Sequence, residues 1–480
     1  MEYTRQVKRE GKVPLSTKFY QGIGAIPDTY KNFAFGTFLL FYYNQVLGMS
    51  ASLASVAIMV ALIVDAITDP LVGSLSDNLK SRWGRRHPLM YLAALPLGFT
   101  LYLTFIPPDG LSETGLFIWL TIFSVAVRAS MTLFLVPWNA LFAEFSEDYV
   151  ERSQILTFRY LVGWISGVTF TFLTWTYIFP SSEEYTPGHL NPASYETFAI
   201  ILALLVTVAV LLTTALTQRE VPYMLQPKID PPKFSIWRVL NEVILALRNR
   251  NFLIIFIVIL TSSIIGGVEG VFGIYMQTYF WGFQPEDLRW FSFAILGAFI
   301  SFVFINTLQQ HFDKQNILIV CALFNLVNGL IIIGLRFLDV LPDNGDPLLL
   351  YILIANTVIR VASDTTIGIM AGSMIADTLD AQELETGQRQ EGIFSAALSF
   401  SGKATSGFGV LIGGLVLDFV LAFPKNVSPT EISESLVFQL GLVAGILIPL
   451  FFIIPIYFIS WYKITRKDHE RIREQLAVKR

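Results

Sequence analysis

Apolar residues run along this chain in blocks of twenty or more positions, broken by short polar stretches rich in charge, proline and glycine. A helix needs about 20 apolar residues to cross hydrocarbon. The pattern predicts twelve helical spans, near 20–47, 51–77, 88–106, 115–143, 154–179, 196–217, 252–280, 288–310, 316–337, 348–376, 391–423 and 434–462. The polar punctuation between them is asymmetric. With both termini in the cytoplasm, 25 Lys and Arg fall on cytoplasmic segments, 2 outside (Arg289 and Lys425) and 6 within spans. Cations concentrate on the cytoplasmic side of membrane proteins, so this bias predicts the orientation. The outer loops carry acids and turn residues instead, as in Pro107-Pro108-Asp109-Gly110 and Pro342-Asp343-Asn344-Gly345-Asp346.

The same pattern divides the chain. Residues 1–217 form one expected six-helix bundle and 252–462 a second. The linker 218–251 carries Pro222, Pro227, Pro231 and Pro232, then Ile236, Trp237, Leu240, Val243, Ile244 and Leu247 at helical spacing beside Arg238 and Arg248. That spacing predicts an amphipathic helix lying in the membrane interface. The basic tail 463–480 reads as a helix with a solvated face near anionic lipid. The halves echo each other. Ala143-Glu144-Phe145-Ser146-Glu147, with Asp148, Glu151 and Arg152, follows the fourth span; Ala376-Asp377-Thr378-Leu379-Asp380, with Glu383, Glu385 and Arg389, follows the tenth. Parallel duplication of a six-helix unit is a transporter signature.

Composition narrows the class. The 480 residues are 54% hydrophobic and 15% charged, with a mean hydropathy of +0.58, which excludes an ordinary soluble protein. The single Cys321 excludes an internal disulfide. His87, His189, His311 and His469 all fall in expected loops or tails, which argues against a haem or zinc site in the membrane. A phosphate-loop reading of Gly402-Lys403 fails, since Ala397 and Ala404 stand where the motif needs Gly and Ser or Thr. No nucleotide, nucleic acid or resident cofactor is expected. The basic N-terminus precedes a full-length span and lacks a cleavable signal pattern.

Ionisable residues inside the spans carry the chemistry. The acids are Asp28, Asp65, Asp69, Glu269 and Asp364; the bases are Lys31, Arg128, Arg159, Arg360 and Lys403. Buried charge in a bilayer is rare and faces a cavity, a partner or a transported ion. Asp65 and Asp69 are four apart, so both carboxylates share a helix face. Pro70 frees the carbonyl of Ala66 from the helix ladder. The all-oxygen set suits a hard monovalent cation or a proton; the bland alternative is a salt bridge to a neighbouring helix. Asp28 with Lys31 and Arg360 with Asp364 have spacings for local pairing. Arg159 and Lys403 have no local acid, which leaves Asp65 and Asp69 as their candidate partners. Glu269 lies among Gly266, Gly267 and Gly270, which permit close helix contact or a bend. Aromatic residues such as Trp138 either stack on a sugar or pack. The loop cations Arg82, Arg85 and Arg86, with Asp77, are placed to pair with Glu144, Glu147 or Asp377 and to hold one face closed as a gate.

Taken together, Asp65-x3-Asp69-Pro70, Gly73, Asp77 and Ser81-Arg82-Trp83-Gly84-Arg85-Arg86 resemble the signature of the glycoside–pentoside–hexuronide:cation symporters, typified by melibiose permease. The similarity extends to Pro137-Trp138-Asn139-Ala140-Leu141, Arg152, Arg159 and the stretch from Ala376-Asp377 to Lys403. It implies an all-α major facilitator fold with twelve transmembrane helices in two bundles. It also implies a secondary transporter, not an enzyme, in the cell (inner) membrane. The family's cation site falls on Asp65, Asp69 and Thr132, with Arg159 and Lys403 as coupling bases and Ser399 at a cargo position. Na⁺ is preferred to H⁺, since a hydroxyl and a freed carbonyl add neutral oxygens. The sugar-holding aspartates of melibiose permease correspond to Thr29 and Leu135, and its stacking Trp to Asn139, so a galactoside is not implied. The candidate cargo residues are Asp28, Lys31, Arg128, Asn139, Glu269, Arg360, Asp364 and Ser399. The implied partners are a small-molecule substrate, a monovalent cation and the lipid bilayer, with the protein a monomer. Sodium-coupled lysophospholipid symporters share the Asp-x3-Asp-Pro element and are the alternative for cargo. A prenyltransferase-type enzyme needs a second acidic motif facing the first, and only Asp377 and Asp380 offer one.

Overall fold

The computed structural model describes residues 3, 4, 7, 9, 11–224, 226, 227, 244, 247–387 and 391–479. The expected linker helix therefore lies, but for Ile244, Leu247 and Arg248, outside the described residues, as does Arg389. The chain divides into two compact units, 1–234 with 424–426, and 235–423 with 427–480.

The first unit begins with α1 (Leu15–Ile23) and α2 (Ala25–Phe33), joined at Gly24 and continued by two π-helical turns, Ala34–Leu39 and Tyr42–Val46. Then come α3 (Ala51–Asn78), α4 (His87–Phe105), α5 (Glu113–Phe145), α6 (Tyr149–Leu173) and α7 (Pro192–Gln218). Side-chain caps set several starts: Ser112, Asp148 and Asn191 accept backbone N–H groups of the first turns of α5, α6 and α7, satisfying donors that the helix cannot. Its outer core is aromatic. Phe38 lies against Trp175, Phe179, Tyr195 and Phe198. A Cβ on Gly98 of α4 would stand 2.0 Å from the Thr207 hydroxyl of α7, so glycine lets these helices touch at the backbone. A two-residue antiparallel bridge pairs Tyr3–Thr4 with Gln226–Pro227.

The second unit contains α8 (Arg250–Tyr275), α9 (Leu296–His311), α10 (Lys314–Phe337), α11 (Pro347–Thr386), α12 (Glu391–Leu415), α13 (Glu434–Leu442), α14 (Ile453–Ile459) and α15 (Arg466–Lys479). Its buried centre includes Ile254, Ile255, Met370, Met374 and Tyr462. Among the described residues ten helical stretches are long and apolar enough to cross a membrane, and Thr405–Val420 is a shorter apolar one. The first expected span is not among the ten; its helical stretch carries Asp28, Lys31, Asn32, Asn44 and Gln45, which lower its hydropathy. The architecture is all-helical and polytopic.

Three sequence expectations need correction. The acidic stretch after the tenth span is not a loop; α11 runs on to Thr386, where Gly387 turns left-handed (φ 71°) and donates to the Glu383 carbonyl at 2.8 Å, a common glycine stop. His87 and His311 are not loop residues either, since they begin α4 and end α9. The tail is not merely solvated. His469 of α15 lies 3.2 Å from Asp380, and Arg466 donates to the Gln310 carbonyl at 2.9 Å.

Candidate functional site

Helices α3 and α5 run side by side through the first unit and place two pairs of side chains in register. Asp65 and Asp69 are four apart on α3, Arg128 and Thr132 four apart on α5, and the offset between partners is 63 in both cases. The Thr132 hydroxyl stands 3.0 Å from Asp65 Oδ1 and 3.1 Å from Asp69 Oδ1. It has one proton to donate, so it serves one carboxylate at a time. Arg128 Nη1 lies 3.3 Å from Asp65 Oδ2. Thr68 donates to the Asp65 carbonyl at 3.1 Å. Asp65 is buried, with 6% of its surface exposed.

Asp28 and Lys31 pair locally at 3.2 Å and lie within electrostatic reach of Arg128 and Asp65. Asp28, Asp65 and Asp69 thus gather near Lys31 and Arg128, and Asp28 is also within electrostatic reach of Arg159. Coulomb energy between unit charges 6 Å apart is about 3 kcal/mol at an effective dielectric of about 20, so repulsion between neighbouring carboxylates is not trivial inside a bilayer.

Arg159 does not meet Asp65 or Asp69. It donates to Asn139 and lies over the Trp138 ring, 3.8 Å from its centroid. Trp138 in turn donates to the Gln21 carbonyl at 3.0 Å, and Gln21 donates back to the Trp138 carbonyl at 2.9 Å. A Cβ at Gly24 would fall 2.0 Å from the indole nitrogen. Trp138 is therefore a packed post joining α1 and α5 that carries Arg159 on its face. Arg128, not Arg159, is the base on Asp65; the shared spacing of four on each helix was the available signal.

In the second unit, Arg360 lies 3.4 Å from Glu269 and 3.9 Å from Asp364, and Asn325 donates to Asp364 at 2.6 Å. The glycines beside Glu269 divide in function. Gly267 packs on α12, where a Cβ would meet the Ser406 carbonyl at 2.4 Å, whereas Cβ atoms on Gly266 and Gly270 would meet nothing within 4 Å. Lys403 is half-buried on α12, and the Ser399 side chain lies outside the described residues.

The loop cations close on their own unit. Arg85 and Arg86 both reach Glu144 Oε1 at 2.8 Å, and Arg86 also bonds Ser76 at 2.8 Å and Asp77 at 2.5 Å. Arg82 instead lies over the Trp83 ring at 5.9 Å. Asp377 belongs to the second unit, where Lys314 holds it at 2.6 Å and His469 stands 3.4 Å away.

Comparison with known proteins accords with this geometry. Residues 20–466 match the family described as MFS/sugar transport protein. The uncharacterized symporter YnaJ of Bacillus subtilis is 26% identical over 447 residues, spanning 92% of this chain and 90% of that one. The isoprimeverose transporter of Lactiplantibacillus pentosus is 23% identical over 422 residues, spanning 86% and 81%. Among solved structures, a D-xylose-proton symporter superposes with a TM-score of 0.59 at 14% identity, covering 93% of this chain and 97% of that one. Its likeness shows the fold. The chain belongs to the glycoside–pentoside–hexuronide:cation symporter family of major facilitator transporters, and is a multi-pass membrane transporter rather than an enzyme.

Proposed function

We propose that the protein carries a saccharide or glycoside across a cell membrane together with one monovalent cation bound at Asp65, Asp69 and Thr132. The observation that carries this is the Thr132 hydroxyl within 3.1 Å of both carboxylates, which brings oxygens of three side chains on two helices together. Loading the cation relieves repulsion between Asp65 and Asp69 before the helices rearrange. The empty set stays costly to move through hydrocarbon, which couples cargo movement to the ion. Na⁺ fits better than H⁺, because the site presents a neutral hydroxyl beside the two carboxylates and Pro70 frees the Ala66 carbonyl one turn away. Linkage requires cargo to raise cation affinity by the same factor as the cation raises cargo affinity, typically about 5–150-fold. The protein is read as a monomer in a cell (inner) membrane, after its bacterial relatives, and with both termini cytoplasmic on the cation bias of its loops.

The relatives' names support a sugar cargo and a coupled mode, with the substrate and ion assigned here by chemistry. The test is uptake of radiolabelled isoprimeverose into proteoliposomes under a Na⁺ gradient, a proton gradient or neither. Asp69→Asn should abolish cation stimulation while the protein stays folded. Normal cation-driven accumulation in Asp69→Asn would overturn the assignment.

A further inference from the structure

The second unit contains an open cavity of about 570 Å³ between α8, α10, α11 and the helix ends around Trp281 and Phe291. That volume falls within the roughly 300–1,000 Å³ of small-molecule sites. Its shape comes from glycine. Gly266, Gly270 and Gly273 recur along one face of α8, and Gly329 lies on α10; a Cβ on any of them would meet nothing within 4 Å. These glycines do not serve helix packing, as Gly267 does. They leave open volume against bare backbone.

The lining supplies what a polyol needs. Each sugar hydroxyl donates one hydrogen bond and accepts others. Glu269 and Asp364 accept, Arg360 donates, and the carboxamides of Gln277, Asn328 and Asn356 do both. Arg360 reaches its two carboxylates only at 3.4 and 3.9 Å, and half its side chain is exposed, 51%, so its N–H groups can be shared with a ligand. Asn356 donates to Asn328 at 3.0 Å, which fixes the orientation of both amides. Trp281, Phe283 and Phe291 add apolar ring faces at one end, suited to the C–H face of a pyranose.

We infer that this cavity is a cargo subsite held by the second unit alone, and that it takes an uncharged mono- or disaccharide. The inference rests on the sugar-symport reading above and narrows it. Two acids against one base leave the charged lining at −1, which repels the carboxylate of a hexuronide and excludes it in favour of a neutral glycoside.

The experiment is thermal unfolding of the full-length purified protein with isoprimeverose or p-nitrophenyl β-D-glucuronide at millimolar concentration, in NaCl or in choline chloride. A ligand that binds only the folded form raises the midpoint by mass action. Isoprimeverose should stabilise the wild type and the glucuronide should not. Gly270→Trp puts an indole into the cavity from a position where a Cβ meets nothing within 4 Å, so it should lose the isoprimeverose shift and keep the Na⁺ shift. Asn356→Leu guards against misfolding of the Trp variant and should weaken the sugar by about tenfold or more, a loss of about 1.4 kcal/mol. Equal sugar shifts in wild type and both variants would overturn the subsite and leave the symport reading standing. A larger shift with the glucuronide would overturn the charge argument. No sugar shift in the wild type would overturn the saccharide cargo itself, and this inference with it.

Discussion

Asp65 and Asp69 look equivalent by residue type, but their surroundings predict unequal losses of stability when each loses its charge. Asp65 is buried and faces Arg128 at 3.3 Å; the two side chains keep only 8% and 12% of their surface. Asp65→Asn leaves that guanidinium without its carboxylate, and breaking a buried pair from one side costs about 3–5 kcal/mol. Asp69 is only half-buried, and one of its contacts is the Thr132 hydroxyl at 3.1 Å. Asparagine still accepts that hydrogen bond, and neutralising a half-buried carboxylate costs less than breaking a buried pair, so Asp69→Asn should cost less than Asp65→Asn. The assay is thermal unfolding in detergent with choline as the only cation, which removes ligand stabilisation from the comparison. Asp65→Asn should unfold well below Asp69→Asn. Adding Arg128→Gln to Asp65→Asn should recover most of the loss, because the uncompensated charge is then gone, giving a coupling energy of about 2 kcal/mol or more. Equal stabilities of the two single variants, or a double variant no better than Asp65→Asn, would refute the pairing that distinguishes them.

Two further outcomes follow from groups outside the cation site. Glu144 receives both Arg85 and Arg86, so Glu144→Gln should free the 79–86 loop and speed tryptic cleavage at Lys80 and Arg82; an unchanged cleavage rate would show that Asp77 and Ser76 suffice to hold it. His189, between the spans, is fully buried with its ring 5.4 Å from Phe41 and 5.5 Å from Trp175, and burial lowers its pKa from 6.5 to about 3. Its folded state prefers the neutral ring while the unfolded chain protonates, so stability is lost as pH falls below 6.5 and continues to fall toward about 3, by at most about 1.4 kcal/mol per pH unit. His189→Gln should flatten the unfolding midpoint across that range, and a parallel decline in both proteins would count against the assignment.

What could be read before any coordinates follows a physical boundary. Helix positions were legible because hydrocarbon imposes length and polarity on every span. Asp65 and Asp69 stood out because charge in such a span needs a reason. Partner choice was harder. Arg128 and Arg159 are both cations on apolar helices, and only the register of α5 against α3 assigns Arg128 to Asp65. Trp138 shows the same limit, since nothing in its spacing says that Gly24 removes the Cβ that would block the indole. The end of α11 was misplaced because acidic residues favour solvent, yet they continue a helix equally well until Gly387 stops it. Gly266, Gly267 and Gly270 looked alike in sequence. Whether a glycine admits another backbone or leaves a void is a property of the facing helix, which no local pattern contains.

The two units share one kind of ionic brace and differ in their interior charges. In the first, loop cations Arg85 and Arg86 at the start of α4 brace Glu144 near the end of α5. In the second, Lys314 at the start of α10 braces Asp377 near the end of α11. One cation does there what two do in the first unit, and His469 of the tail helix stands beside the same carboxylate. The brace takes different residues in the two units because its requirement is only an opposite charge within reach. The interior sets differ more. Asp65, Arg128 and Thr132 form a buried ladder, whereas Glu269, Arg360 and Asp364 stand around a glycine-walled cavity. An ion of fixed size needs oxygens held close together. A cargo with many hydroxyls needs donors and acceptors spread over a larger wall.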